Sequence, residues 1–385
     1  MGFIGTLCMV LFATLFVGHY CQRMDVPGVI GQLLVGVILG PAILNWIQLN
    51  NLIQVFADLG VIILMFIAGL ESNIQLLKKY LRPALIVATI GVIFPLVFMG
   101  FSGLLFHFSK LECFLLGVVF SATSVSISVE VLKEFHALDS KEGATILGAA
   151  VADDIIGVIL LSLMVSMMGD ASGNENILWV ILKQVFYFVG VYLLIRWIAP
   201  YLMRTADHLF MTSSRTIMSM IICLAMAWLA ELVGLSGAVG AFFAGIAVAL
   251  TPAHKEIGAS VEPIGYAIFI PMFFVSVGLN MNFSHLWQSL GFVILMTILG
   301  VGTKLVGCGL GAKLSGFDFS SNYVIGAGMI SRGEMALITA QIGFSAHLID
   351  ATHYSDVILV IIVVTIIAPF ILKHAIVRQR KLAEA

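Results

Sequence analysis

Charged side chains are scarce in this sequence: Asp, Glu, Lys and Arg make up 10% of its 385 residues, against roughly 25% in a typical soluble domain. Hydrophobic residues make up 61%, and the mean hydropathy is +1.10. This composition excludes an ordinary soluble protein and predicts an all-α polytopic membrane protein, because helices satisfy their own backbone hydrogen bonds in lipid. The net charge of −2 says nothing about partners, because the distribution of charge around the helices matters more than its sum, and nucleic acid is not indicated.

Cysteine pairs with metal-binding or redox spacing are also absent. The five cysteines lie within or at the ends of apolar segments: Cys8, Cys21, Cys113, Cys223 and Cys308. We expect them to be small packing or lipid-facing residues, and no cofactor is predicted. The first apolar run, at 2–20, lacks the basic start of a signal peptide and is interpreted as a retained helix.

Apolar runs separated by polar, Pro or Gly gaps give about thirteen spans of the roughly 20 residues that a transmembrane helix needs. The predicted spans are 3–22, 27–44, 51–71, 83–106, 112–132, 143–168, 177–201, 214–233, 235–250, 261–281, 287–312, 321–345 and 355–377.

The distribution of Lys and Arg around these spans predicts their orientation. On the side of the C-terminus lie Arg23, Lys78, Lys79, Arg82, Lys133, Lys141, Arg204, Arg215, Lys255, Lys313, Lys373, Arg378, Arg380 and Lys381. The opposite loops hold only Lys110, while Lys183 and Arg196 lie inside the seventh span. Because positive charge marks the cytoplasmic side, the N-terminus is predicted outside and the C-terminus inside.

With thirteen spans, the first six and the last six enter the membrane from opposite sides. We therefore predict a single transmembrane domain of two inverted six-helix repeats, 1–168 and 211–385, joined by a linker helix in 169–210. Spans five and twelve each carry a polar interruption at mid-depth, at 121–124 and 331–334. Matching interruptions in two halves point to a midplane binding site formed by broken helices.

Asp153 and Asp154 are adjacent carboxylates in the middle of the apolar sixth span. A carboxylate at bilayer depth costs about 2.5–3.5 kcal/mol, so such residues face a protein or water-filled interior and mark ion or proton paths. Lys304, Arg332 and Glu334 are also placed near mid-depth. We expect all five to face inward, hydrated or paired.

Adjacent residues on a helix point about 100° apart, so Asp153 and Asp154 cannot both face one partner. One can pair with Lys304 while the other faces the broken helices. There Thr123, Ser124 and unwound carbonyls would complete an all-oxygen cage for a hard monovalent cation.

A salt-bridge network with a purely structural role is the alternative, but it would leave one charge uncompensated at a costly depth. Taken singly, Arg332 and Glu334 fit a structural role, for instance with Glu130, as well as they fit direct contact with an ion.

Five motifs along the chain carry a family resemblance. They are Val26 to Leu34 with Gly40-Pro41, Leu59 to Glu71, Ala152-Asp153-Asp154, Gly240-Ala241-Phe242, and Phe273 to Gly278. Together they resemble the bacterial monovalent cation:proton antiporter superfamily, and within it the NapA-type sodium/proton antiporters. The resemblance implies a homodimer of thirteen-helix protomers. In each, a mobile core with two crossed broken helices moves against a dimerisation domain, as in an elevator mechanism.

Carried over to this sequence, the resemblance implies that Asp154 binds the cation and that Asp153 pairs with Lys304. It places Thr123 and Ser124 on the first broken helix and Glu334 on the second. Potassium exporters of the superfamily often carry Gln-Asp where this chain has Asp-Asp, and they add a soluble nucleotide-binding domain. Neither feature is present here, which favours Na⁺ or Li⁺ and predicts no nucleotide.

The predicted function is secondary active, electrogenic exchange of cytoplasmic Na⁺ or Li⁺ for external H⁺ across a bacterial plasma membrane, serving pH homeostasis. Exchange of K⁺ or NH₄⁺ through the same residues is the first alternative. A passive proton or cation channel and a solute transporter on the same fold are remoter. An intramembrane aspartyl protease needs two carboxylates that converge on one water, whereas Asp153 and Asp154 diverge, so no enzyme activity is predicted.

Overall fold

The computed structural model describes residues 2–24, 27–167, 177–281, 289–345 and 348–384. These residues form helices and turns with no strand among them, which confirms the all-α prediction. The helices are α1 (Phe3–Arg23), α2 (Gly28–Leu39), α3 (Asn51–Glu71), α4 (Ile74–Lys79), α5 (Leu81–Leu105), α6 (Lys110–Val119), α7 (Val125–Glu134), α8 (Lys141–Met167), α9 (Ile177–Leu193), α10 (Ala199–Asp207), α11 (Ser214–Leu232), α12 (Gly237–Ala249), α13 (His254–Ile264), α14 (Ile270–Leu279), α15 (Leu290–Leu314), α16 (Phe319–Gly328), α17 (Glu334–Ser345) and α18 (Ala351–Glu384). Two π-helical turns, Leu194–Ile198 and Gly265–Phe269, join α9 to α10 and α13 to α14.

Each predicted span coincides with one helix or with a pair of helices. Spans five and twelve are broken, as α6 with α7 and α16 with α17, and spans seven and ten are pairs joined by the π-helical turns. Within the described residues, nine helical stretches are long and apolar enough to cross a membrane. The end of the sixth predicted span at residue 168 and the start of the eleventh at 287 lie outside the described residues.

Four boundaries differ from the prediction by five residues or more, and one of them is the end of α10, at Asp207 rather than at residue 201. Helix α2 ends at Leu39 rather than at residue 44, because Gly40 and Pro41 disfavour a continued helix. Helix α13 begins seven residues before the predicted start, at His254, since its first turns are polar and lie outside the apolar run. Helix α18 continues past residue 377 to Glu384, through Arg, Gln, Lys, Leu and Ala, which are strong helix formers.

The chain divides into two compact units, and the first comprises Met1–Leu11, Asn50–Ile74 and Asn174–Phe273. In this unit α3 and α12 pack so closely that their backbones are in contact. A Cβ atom on Gly69 would lie 2.2 Å from the carbonyl oxygen of Phe242, and one on Gly245 would lie 2.2 Å from that of Phe66. Glycine at both positions is therefore what lets the two helices approach.

The second unit comprises Phe12–Leu49, Gln75–Gly173 and Phe274–Ala385. It contains both broken helices and the unbroken helices α8 and α15. Helix α5 packs against α8 and α15, while α18 packs against α7 and α16. All the predicted site residues belong to this unit. The division of the chain into two inverted repeats stays a prediction.

A polar network joins one end of α8, α16 and α18 in the second unit. The buried carboxylate of Glu142 accepts hydrogen bonds from the Ser321 hydroxyl at 2.5 Å and from Gln379 Nε2 at 2.7 Å. Beside it, Asp318 caps α16 by accepting from the Ser321 backbone N–H. The Ser321 hydroxyl, together with Lys141, holds the pKa of the Asp318 carboxyl well below its usual range. Three helices that carry or flank the predicted site are thus held together at this end.

Candidate ion-binding site

Two interrupted helices form the centre of the second unit. The first interruption lies between α6 and α7, and the second lies between α16 and α17. In the first, the Ser121 hydroxyl donates to the carbonyl of Val118 at 2.7 Å. A side chain therefore hydrogen-bonds to one of the last backbone carbonyls of α6. Serine and threonine hydroxyls compete with the helical ladder in this way, which explains why a Ser/Thr-rich stretch is not helical here.

The two interruptions are hydrogen-bonded to each other. The backbone N–H of Ser124 donates to the carbonyl of Ser331 at 2.9 Å, and the Ser331 hydroxyl donates to the carbonyl of Ser124 at 2.6 Å. The Ser128 hydroxyl donates to the carbonyl of Gly328 at 2.6 Å. Gly333 lies so close that a Cβ atom there would be 2.5 Å from Ser124 Oγ. The interruptions therefore form one connected polar unit.

Four helix ends point into this polar unit: the C-termini of α6 and α16 and the N-termini of α7 and α17. Each N-terminus carries about half a positive charge and each C-terminus about half a negative charge, from unpaired backbone groups. Fixed partial charges of both signs are therefore available to ions at this place without any movement of side chains.

Asp153 lies on the unbroken helix α8 and is 2% exposed. Its Oδ2 accepts a hydrogen bond from Lys304 Nζ at 2.5 Å and another from the Thr123 hydroxyl at 2.6 Å. Both side chains of the ion pair are fully buried. Asp153 Oδ1 is also buried and accepts no hydrogen bond in the described part of the chain. The pair thus keeps one carboxylate oxygen available for a proton or a cation.

Asp154 is the next residue on α8 and is half-buried. It is rotated about 100° from Asp153 around the helix axis, so the two carboxylates face different surroundings. The structure places the Thr123 hydroxyl on Asp153, whereas Ser124 contributes backbone groups to the contact between the interruptions. Glu130 lies half-buried on α7.

Glu334 begins α17, but its side chain lies outside the described part of the structure. Groups of three or more His, Cys, Asp or Glu side chains that could hold a metal ion do not occur among the described residues.

Arg332 belongs to the second interruption and is fully buried. Its Nη1 donates to the carbonyl of Ala122 at 3.2 Å and its Nη2 to that of Gly300 at 2.9 Å. Gly300 is one turn before Lys304 on α15. The Thr365 hydroxyl of α18 in turn donates to the carbonyl of Arg332 at 2.8 Å. The guanidinium therefore connects the first interruption to the helix that carries the buried lysine.

We expect Arg332→Lys to lower the free energy of unfolding by about 2–3 kcal/mol. An ammonium is a point charge and cannot hydrogen-bond to the carbonyls of Ala122 and Gly300 at the same time, as the guanidinium does. Each buried hydrogen bond from a charged group contributes about 1.5–3 kcal/mol. Thermal unfolding in detergent measures the stability, and the apparent affinity for the transported cation measures whether the interruption has moved. Arg215→Lys is the matched control, since Arg215 makes solvent-exposed ion pairs with Asp207 and Glu256, which water and salt screen. Equal effects of the two substitutions would contradict the assignment.

Three groups at the site were not predicted from sequence. Thr365 is a single hydroxyl in an apolar run of α18, and its isolation is the signal that could have indicated it. The carbonyls of Ala122 and Gly300 have no sequence signal, because every residue supplies the same group.

The second unit contains two broken helices whose interruptions meet at one polar centre. Beside them lies an unbroken helix whose buried carboxylate pairs with a lysine. This combination is typical of a secondary transporter. Residues 9–378 match the family model described as "Sodium/hydrogen exchanger, transmembrane". The chain belongs to this sodium/hydrogen exchanger family. It is therefore a multi-pass membrane protein of a family of cation/proton antiporters, which are secondary transporters and not enzymes.

Individual relatives match nearly the whole chain. A Na⁺/H⁺ antiporter of Enterococcus hirae is 48% identical over 375 residues, covering 97% of this chain and 98% of the relative. The Na⁺/H⁺-K⁺ antiporter GerN of Bacillus cereus is 40% identical over 384 residues, covering 100% and 98%. The solved sodium proton antiporter MjNhaP1 of Methanocaldococcus jannaschii has the same fold, with a TM-score of 0.73 at 18% identity over 100% of this chain and 97% of that one.

Proposed function

We propose that this antiporter exchanges cytoplasmic Na⁺ or Li⁺ for external H⁺ across a bacterial plasma membrane. The observation that carries the proposal is the pair of adjacent carboxylates on α8. Asp153 is neutralised by Lys304, while Asp154, on a different side of the helix, is half-buried. The names of the two relatives, a Na⁺/H⁺ and a Na⁺/H⁺-K⁺ antiporter, agree with the substrate.

In this proposal the cation and the proton compete for one site. Asp154 binds the cation when ionised and releases it when protonated, so that differential affinity couples the two fluxes without a cofactor. Thr123 and Ser124 would add oxygen ligands from the first interruption. Lys304 would neutralise Asp153 when the site is empty and give up that contact when an ion approaches the carboxylates.

Exchange of two protons for one Na⁺ is the proposed stoichiometry, because Asp153 and Asp154 supply two carboxylates. Each cycle would then move one net charge inward, which is worth about 2.3 kcal/mol per 100 mV. That energy sustains a roughly 50-fold Na⁺ concentration ratio. A membrane potential would thus drive sodium out even without a pH gradient.

Alternating access would come from movement of the second unit as one body, in a homodimer with the N-terminus outside and the C-terminus inside. The contacts described for Asp153, Lys304 and Arg332 are all made within that unit. Its movement would therefore carry the site across the membrane without separating the helices that form it.

The test is dissipation of a pH gradient in proteoliposomes that contain the purified protein, with Na⁺, Li⁺, K⁺ and NH₄⁺ added in turn. We expect a response to Na⁺ and Li⁺ that saturates and weakens as the pH falls, because protons compete for the same carboxylates. A response mainly to K⁺ would keep the mechanism and overturn the substrate. Dissipation without any added cation would indicate a channel and overturn the proposal.

A further inference from the structure

Thr365 on α18 contacts the second interruption. The side chain is fully buried, and its hydroxyl lies 2.8 Å from the carbonyl oxygen of Arg332 and 2.7 Å from that of Ile361. The bond to Ile361, four residues earlier, is the one that a helical threonine ordinarily makes. The contact with Arg332 is additional, and because one proton serves two acceptors the hydrogen bond is three-centred.

The carbonyl of Arg332 depends on a donor from outside its own helix. Residues 329–333 lie between α16 and α17, so this carbonyl is not part of a helical ladder, and Arg332 is fully buried away from water. The preceding carbonyl, of Ser331, is also bonded, because it accepts from the backbone N–H of Ser124. A buried carbonyl without a donor is costly and rare. The Thr365 hydroxyl therefore fixes the direction in which the Arg332 peptide points.

Close packing on α15 holds α18 at this level. A Cβ atom on Gly300 would lie 3.1 Å from Val364 Cγ2, so a side chain at position 300 would press on α18. Thr365 follows Val364 directly, and Pro369, four residues later, has no backbone N–H to donate to the Thr365 carbonyl. The helix therefore lacks one of its own hydrogen bonds at the turn that contacts the interruption, and its packing on α15 keeps the Thr365 hydroxyl in place.

Arg332 transmits this constraint to the ion site. Its guanidinium donates to the carbonyls of Ala122 and Gly300, and Thr123, the residue after Ala122, donates its hydroxyl to Asp153. Turning the Arg332 peptide would redirect the Arg332 side chain, because the bond from Cα to Cβ moves with the backbone. The first interruption would then lose the contact that holds Ala122.

We propose that Thr365 is a positioning residue of the ion site. Acting through Arg332, its hydroxyl fixes the first interruption, so that Thr123 and Ser124 present their oxygens at a set spacing. A cage of fixed size discriminates between cations of different radius, whereas a loose one adapts to both. The inference rests on the proposed function in that it requires a cation site at the first interruption, but it does not depend on which cation is transported.

Thr365→Val tests the proposal, because valine has nearly the shape of threonine and lacks the hydroxyl. The measurement is cation-dependent dissipation of a pH gradient in proteoliposomes. We expect the half-saturating cation concentration to rise about five- to tenfold, the effect of one lost buried hydrogen bond, while the maximal rate per folded protein falls by about twofold at most. The ratio of the half-saturating concentrations of Na⁺ and K⁺ should move towards one.

Two further substitutions at the same position separate the hydroxyl from the packing of the side chain. Thr365→Ser keeps the hydroxyl and should restore both the affinity and the ion ratio. Thr365→Ala removes the hydroxyl without placing a methyl group against the carbonyl, so it should change the affinity and the ratio even if Thr365→Val does not fold.

Thr145→Val is the matched control. Thr145 is a fully buried threonine of α8, and its hydroxyl donates to the carbonyl of Lys141, four residues earlier, at 2.7 Å. The substitution should leave the half-saturating concentration and the ion ratio unchanged. Equal effects at the two positions, or wild-type affinity and ion ratio in Thr365→Val, would overturn the proposal and leave Thr365 a packing residue. A wild type without cation-dependent exchange would overturn the proposed function, and this inference with it.

Discussion

Asp154→Asn is expected to abolish cation-dependent proton transport, with a decrease of at least about a hundredfold. An asparagine carries no charge and does not titrate, so it can neither attract the cation nor exchange it for a proton. A hundredfold decrease corresponds to about 2.7 kcal/mol, and it is a lower bound because the substitution removes both the cation contact and the proton exchange. The measurement is the initial rate of pH-gradient dissipation in proteoliposomes as a function of Na⁺ concentration.

The matched control for this substitution is Asp58→Asn. Asp58 lies on α3 in the first unit and is exposed, where it accepts a hydrogen bond from Gln54 at 2.8 Å. The same change of chemistry there should leave the rate and the Na⁺ dependence as in the wild type. Asp154→Glu keeps the carboxylate and should retain transport with an altered affinity. If Asp154→Asn still exchanged Na⁺ for protons, Asp154 would not be the binding carboxylate.

The positions of the helices could be predicted because length and apolarity suffice to define a span in a bilayer. The interruptions in spans five and twelve were also predictable, since Ser121 to Ser124 and Ser331 to Glu334 are polar stretches at a depth where polarity is costly. For the same reason Asp153 and Lys304 could be selected as candidates for the site. Scarcity of charge made each charged residue informative.

The contacts within the site were less predictable. Because Asp153 and Asp154 are adjacent on α8, the sequence shows that their side chains diverge. It does not show which of them accepts the hydrogen bond from the Thr123 hydroxyl, because that depends on how α8 is rotated relative to the first interruption. The partners of Arg332 are backbone carbonyls, which leave no pattern in a sequence. The network of Glu142 with Gln379 joins residues far apart in the chain, and no periodicity predicts such a contact.

The buried pair of Asp153 and Lys304 should show strong coupling in a double-mutant cycle. Asp153→Asn leaves a lysine without its counter-charge, and Lys304→Met leaves a carboxylate without one, in a place where both side chains are fully buried. We expect each single substitution to lower the free energy of unfolding by about 3–5 kcal/mol. The double substitution removes both charges, and its cost should fall short of the sum by about 1–3 kcal/mol. Unfolding monitored in detergent measures all four proteins.

Transport under an imposed membrane potential separates a structural role of this pair from a role in coupling. If two protons are exchanged per Na⁺, Asp153→Asn removes one titrating carboxylate, and the exchange that remains should no longer respond to voltage. A structural role alone would lower the stability and leave the voltage response of the folded fraction unchanged. Asp153→Asn protein that still transports with the voltage dependence of the wild type would contradict the proposed stoichiometry, even if the coupling in the stability cycle were as large as expected. The ion pair would then hold α8 against α15 while Asp154 alone carried both the cation and the proton.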